Sequence, residues 1–467
     1  MDHDFNIVPG FPDDVERTAG LPRLDLPPEL WLHICESFDL EKSHFRNLSL
    51  CNSTLRLVAQ PFAFKKVELS SYFIHSSRRS SFVYAQTPSY LASLLERFEF
   101  LCSPRIAHAI RSISFQSRVS DAILRSELTI DCQIIADTLF RHITAFHNLT
   151  SISAEGFRFT TDHLLQTFQL PKLEIFRLTE CSAEITQRIN ITYPCPKLRE
   201  LSLCNAYCDG EGSIHPWWMY FIGQDTTERL SLFPLDHYPS TCILKSISSS
   251  PPLLCLKSLT LGSKRLEAFD IIEVLSKCPS LEEFNVGSQG YYGERHTQEL
   301  ENILSKDIVS HLVCISGPLY FILPFLRDRT IQTFRCRSED MFDFNDNSFV
   351  LDRLRDNAPH LRSLSLSFLR HNLIQYFSIL SHFREMQSFR VICFEHICTV
   401  KEVCESLYHA DIPITLQSLE LTTYCRPTYK IYPPSPQVEE RFNQEFPNLS
   451  SVWITAPEFQ FKWNRII

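Results

Sequence analysis

Histidine and cysteine are the side chains that most often ligate metals or supply nucleophiles and bases, and this chain carries 17 of each. Their spacing builds no site. No Cys-x-x-Cys pair occurs, Cys204 and Cys208 being the nearest approach. An odd number of cysteines, scattered singly among leucines, reads as buried reduced thiols rather than a zinc or disulfide framework. The histidines are dispersed in the manner of surface or internally satisfied side chains. Asp343-Phe-Asn345-Asp-Asn347 opens like a calcium loop, but Ser348 stands where glycine is needed and Leu354 where a bidentate glutamate belongs. With only 11 glycines, the chain has no Gly-x-Gly-x-x-Gly or Walker loop. His-Glu-x-x-His and Gly-x-Ser-x-Gly are absent too. The sequence therefore assigns no catalytic residue, metal site or cofactor, and reads as a non-enzyme.

What remains is binding chemistry. Arg335, Arg337 and Arg390 recur in positions that a regular fold could gather into a basic patch for an acidic or phosphorylated segment. The other reading is a set of solvated arginines. Pro216-Trp217-Trp218-Met219-Tyr220-Phe221, within a glycine-flanked insertion from Asp209 to Gly223, is an aromatic cluster. Trp217 and Trp218 either stand out as interface anchors or pack back to fill a widened gap. A net charge of -9 and a pI near 6.0 argue against a dedicated nucleic-acid binder. The longest apolar stretches, such as Leu319 to Leu326 with Pro324 inside it, fall well short of a membrane span. The acidic N-terminus has neither the basic nor the apolar region of a secretory signal, so the expected location is cytoplasmic or nuclear.

These residues are positioned by a repeat. From residue 109 onward the pattern apolar, two residues, apolar, one residue, apolar returns as Ile110/Ile113/Phe115, Leu149/Ile152/Ala154, Leu173/Phe176/Leu178 and Leu198/Leu201/Leu203. It continues as Leu256/Leu259/Leu261, Leu281/Phe284/Val286, Ile331/Phe334/Cys336, Leu361/Leu364/Leu366, Met386/Phe389/Val391, Leu416/Leu419/Leu421 and Leu449/Val452/Ile454. Weaker copies fall at Leu230/Leu232 and Val309/Leu312. The mean spacing, about 28 residues, is that of leucine-rich repeats. Pro171, Pro196, Pro279, Pro359 and Pro447 each stand two residues before a first apolar position. There a proline stops the preceding helix and biases its neighbour toward extended backbone. Helical patterns lie between copies, as at Leu266 to Cys278, Thr399 to Ala410 and Gln437 to Phe446. Cys195-Pro-Lys-Leu-Arg-Glu-Leu-Ser-Leu and Cys278-Pro-Ser-Leu-Glu-Glu-Phe-Asn-Val resemble the long, irregular leucine-rich repeats common in F-box proteins. The expected fold is α/β: a solenoid with a curved parallel sheet and outer helices over residues 109–467. Between the strand leucines, Arg177, Glu200, Glu283, Asn285, Arg335, Ser365, Arg390, Glu420 and Trp453 are expected on the open sheet face.

Residues 1–24, acidic and proline-containing, read as a disordered tail. Residues 25–69 carry a small all-α pattern: Leu30, Ile34 and Phe38 at four-residue steps, then Phe45, Leu48 and Cys51, then Asn52 as an N-cap for a helix that Pro61 is expected to end. Leu26-Pro-Pro-Glu-Leu30, Ile34, Leu48-Ser-Leu-Cys51 and Leu55-Arg-Leu-Val-Ala59 together resemble the F-box, with Asn52 and Leu55 standing where that family often has a basic and an aromatic residue. The resemblance implies docking on a Skp-type adaptor of a cullin-RING (SCF-type) ubiquitin ligase. Leu26, Pro27, Leu30, Ile34, Leu48 and Leu50 would be buried against the adaptor, and the repeats would hold an unknown target protein. Residues 70–108 would connect or cap. A repeat scaffold with no ubiquitin role is the alternative.

Overall fold

The computed structural model describes residues 26–37, 40–70, 72–77, 80–85, 88–116, 133–184, 196, 198–204, 207–208, 216–233, 241–262, 267–287, 294–336, 348–368, 377–393, 400–423, 440, 442–444, 446–456 and 459–465. The acidic tail, Arg337, the segment 343–347 that opens like a calcium loop and the proline-rich stretch from Tyr424 to Gln437 lie outside them. The chain divides into Met1–Lys65 and Lys66–Ile467.

In the first unit, three helices occupy Pro28–Ser37 (α1), Lys42–Cys51 (α2) and Ser53–Phe64 (α3). Cys35, Phe45, Val58, Ala59 and Ala63 form the core, with Trp31, Leu40, Leu48, Phe62 and Phe64 packed against it. Phe45 and Phe62 stack with ring centroids 5.2 Å apart. Asn52 caps α3 by accepting the Leu55 N–H at 2.7 Å, as the sequence led one to expect. Pro61 does not end α3. It deletes one N–H, but the helix runs on to Phe64 because Ala63, 4% exposed, is held in the core.

Among the described residues, the second unit is built on a 15-stranded sheet in which all strands but the last are joined in parallel, in chain order. Its interior ladder runs Val67, Ile113, Ile152, Phe176, Leu201, Leu230, Leu259, Phe284, Ile315, Phe334, Leu364, Phe389, Leu419, Val452, each paired with the next. A one-residue slip would turn every ladder residue to solvent, so burial of this face fixes the register. Parallel strands need crossovers, and helices such as Gln133–His142, Thr161–Phe168, Ala268–Ser276, Ser348–Asn357 and Val400–Tyr408 supply them. No single repeat can bury its own apolar stripe; stacking makes the core continuous. This is a leucine-rich-repeat solenoid.

The structure alters the expected boundaries. The sheet begins with Lys66–Ser70, not after residue 109, and that strand pairs directly with Ser112–Gln116. Residues 66–69, read as the tail of the helical module, are therefore its first rung, with Val67 and Leu69 each 2% exposed. Residues 70–108 contain an antiparallel hairpin, Tyr72–Ser77 with Ser80–Ala85, and the helix Pro88–Cys102.

Two weak repeat copies also resolve differently. The rung read as Val309/Leu312 is Leu312/Ile315/Gly317, with its strand at Cys314–Gly317. A β-carbon on Gly317 would lie 2.9 Å from Val286 Cβ and 3.1 Å from Ile322 Cγ2, so the preceding rung fills the space a side chain would need. In the copy at Leu230/Leu232 the first ladder position is Thr227, fully buried. Its hydroxyl donates to the Leu198 carbonyl at 3.0 Å and accepts the Gly223 N–H at 2.9 Å, which lets a polar residue occupy an apolar post.

Candidate binding surfaces

Helix α1 turns Trp31 and Cys35 inward. Leu30 and Ile34 precede them by one residue, about 100° around the helix, and form a second apolar flank that the bundle covers only in part, at Ile34. Leu30 is 49% exposed, Leu32 43%, Leu50 74% and Leu57 60%. Pro27 is exposed, Leu26 and Ile34 are half-buried, and Leu48 is half-buried against the bundle's own core. Of the six residues implied by the F-box resemblance, Pro27, Leu30 and Leu50 thus present the most free surface. Cys51, expected on the inner face of α2, is exposed.

The second surface is the polar face of the sheet. Alternate strand residues share a face, so the residues between ladder positions form columns across the rungs. One column runs Asn285, Ser316, Arg335, Ser365, Arg390, Glu420, Trp453, Lys462. Beside it runs a column of hydroxyl residues, Thr333, Ser363, Ser388, Ser418 and Ser451, all half-buried. Ser451 donates to Ser418 Oγ at 3.2 Å.

The expected basic patch is only partly assembled. Arg335 and Arg390 lie in one column with Ser365 between them. Arg390, however, is bound to Glu420 at 3.3 Å, because the next rung places a carboxylate directly opposite. Arg335 is exposed and has no ion pair among the described residues. Trp453 is 40% exposed, with Lys462 Nζ over its ring at 5.0 Å. Lys462 was not foreseen. Its strand, Phe459–Asn464, is antiparallel and closes the sheet, and the alternation Phe459-Gln-Phe461-Lys-Trp463-Asn was the signal that could have revealed it.

Elsewhere on this face charged side chains meet hydrogen-bonding partners on the same face. Arg177 meets Glu200 at 2.5 Å, while Glu283 accepts from Ser258 at 3.0 Å and from Asn285 at 3.0 Å. Glu283 lies close enough to Cys314 to raise its thiol pKa beyond the effect of burial, and Arg335 acts in the opposite sense.

Trp218 is not an anchor for a partner. It is 1% exposed and packs near Phe159, Phe176 and Phe221, with centroids 6.3, 6.0 and 6.1 Å away. The physical reason is local: a 3-10 turn, Pro216–Phe221, stands on this rung where a longer helix would lie, so large rings fill the width. The side chain of Trp217 lies outside the described residues; Tyr220 is the exposed aromatic of the turn, at 50%.

Among the described residues, no group of three His, Cys, Asp or Glu side chains could hold a metal ion, and no helix is long and apolar enough to cross a membrane. Burial pushes the thiols of Cys181 and Cys278 up to about 12, which keeps both protonated and unreactive.

No family model and no curated protein matches the chain. Among solved structures it is similar to a chain of the yeast Rad7 and Elc1 complex, at 12% identity and a TM-score of 0.43 over 92% of each chain. It is also similar to the leucine-rich-repeat-containing protein LegL7 of Legionella pneumophila, at 12% identity and a TM-score of 0.34, covering 75% of this chain and 96% of that one. A third likeness is to the plant peptide hormone receptor RGFR1 in complex with RGF2, at 10% identity and a TM-score of 0.26, covering 76% of this chain and 60% of that one.

Proposed function

We propose that the chain is a non-catalytic receptor subunit of an SCF-type ubiquitin ligase. In this reading helices α1–α3 dock on a Skp-type adaptor, the adaptor links to a cullin-RING ligase, and the repeat sheet holds a target protein. The observation that carries the reading is the exposure of Leu30 and Leu50, at 49% and 74%, on a bundle whose core is already filled by other residues. An apolar surface of that kind on so small a unit is stabilised by a partner. The leucines fall where the F-box resemblance calls for adaptor contacts.

The mechanism is tethering. Holding a target beside the transfer machinery raises the effective concentration of its lysines, and no side chain of this chain enters the chemistry. Co-purification of the full chain with a Skp-type adaptor tests the reading. The native chain should bring the adaptor down, and Leu30→Asp with Leu50→Asp should abolish that while leaving the fold intact, since both side chains are exposed. A native chain that does not bind the adaptor would leave a repeat scaffold with no ubiquitin role.

A further inference from the structure

The polar face of the sheet is uneven in one respect. Nearer its N-terminal end Arg177 is paired within the face with Glu200. Toward the C-terminal end an open cation and an exposed aromatic ring occur in a single register column, Arg335 at one side and Trp453 at the other. Between them lie Ser365 and the self-neutralised Arg390–Glu420 pair. Lys462 adds a second positive charge beside the ring. Alongside, the short hydroxyl side chains from Thr333 to Ser451 keep five successive rungs low and polar. The long side chains of Arg335, Arg390, Glu420 and Trp453, with the short, buried Ser365 among them, stand beside this row as one wall of a trough floored by hydroxyls.

Deepening the proposed function, and resting on its reading of the sheet as the target-holding part, we infer that this trough binds an extended segment of the target protein carrying a carboxylate side chain and a large apolar side chain about six residues apart. The carboxylate pairs with Arg335 and the apolar group lies against Trp453. The spacing follows from geometry. Four strand-to-strand steps separate the two residues, which at about 4.8 Å each is about 19 Å, and an extended chain advances about 3.3 Å per residue. A carboxylate fits better than a phosphate. Arg335 offers one guanidinium, and Glu420 opposes a dianion drawn toward Arg390.

The probe is a set of fluorescein-labelled peptides of roughly ten residues on a Gly-Ser background, each with one glutamate and one leucine at varied separation and in both orders. Anisotropy with the full chain should show the tightest binding at about six residues' separation, weakened by added salt. Arg335→Ala and Trp453→Ala should each weaken it by about tenfold, a loss of the size expected for an interface anchor, while Trp453→Phe retains most of it. Binding that ignores the separation, or that survives either alanine variant unchanged, would overturn the inference. So would binding about tenfold tighter when phosphoserine replaces the glutamate, which would assign the trough to phosphate. Adaptor co-purification is read on the same variants: retained adaptor binding with no peptide binding defeats only this inference, and the reverse result defeats only the ligase reading.

Discussion

Arg390 and Glu420 stand directly opposite each other on adjacent parallel strands, with Arg390 Nε 3.3 Å from a Glu420 carboxylate oxygen. Neither residue adjoins the other in sequence; the common register of the repeats brings them together. The pair is solvent-accessible, with side chains 45% and 35% exposed, so its worth lies more in setting local charge than in holding the fold. Glu420→Gln should change the unfolding free energy by about 1 kcal/mol or less, measured by urea denaturation. The same change frees the Arg390 guanidinium and should strengthen retention of acidic peptides at low salt.

Thr227 gives a sharper test of the ladder. Valine has nearly its shape but no hydroxyl, so Thr227→Val leaves the Leu198 carbonyl and the Gly223 N–H without this partner. The expected cost is about 1–3 kcal/mol. Leu364→Ala, at a fully apolar post 1% exposed, should cost about 2–5 kcal/mol. Similar behaviour of Thr227→Val and the native chain in urea would show that water replaces the lost hydroxyl.

His163 should make the second unit sensitive to acid. Its ring, 6% exposed, accepts the Thr160 N–H at Nδ1, 3.2 Å away, and turns Nε2 toward Asp137 at 3.2 Å. Phe140 and Phe157 lie against it. Burial lowers the imidazole below its ordinary 6.5, with Asp137 and Asp162 pulling the other way. The folded state therefore binds this proton less readily than the unfolded chain does. The stability associated with a neutral His163 is present above 6.5 and is lost as pH falls toward the folded value. Denaturation curves should weaken as the pH is lowered below 6.5, and His163→Gln should flatten that slope. An equal slope in both proteins would remove His163 as its source.

Arg465 closes the far end of the array. Its guanidinium donates to the carbonyls of Phe442, Asn443, Phe446 and Leu449, the shortest bond being 2.7 Å to Phe446, and it lies 5.8 Å from the Trp463 ring centroid. Those carbonyls would otherwise go without these bonds at the end of a helical turn. Arg465→Ala should cost about 2 kcal/mol and accelerate hydrogen exchange chiefly in the strands Ser451–Ala456 and Phe459–Asn464. Uniform acceleration across the whole sheet would show instead that the array unfolds as one body.

The repeat itself was legible in the sequence because it depends on local periodicity. Most ladder posts are filled by apolar residues whatever their sequence neighbours are, and prolines mark where helices stop. The same logic found the Asn52 cap, which involves only residues three apart. The sequence also supplied the columns of the open face in outline, since strand residues alternate sides.

Which of those face residues are free was decided by the tertiary structure. Arg335, Arg390 and Trp453 look equally available along the chain, yet the register gives Arg390 a carboxylate, Trp453 a lysine from an antiparallel strand, and Arg335 no ionic partner among the described residues. Trp218 entered the core because its rung has a short 3-10 turn there, and Thr227 held an apolar post because two backbone groups met its hydroxyl. In each case the deciding contact is made by residues from another rung or another turn. Hydrophobic periodicity is written residue by residue, whereas the pairing of polar groups depends on distances that exist only once the rungs are stacked.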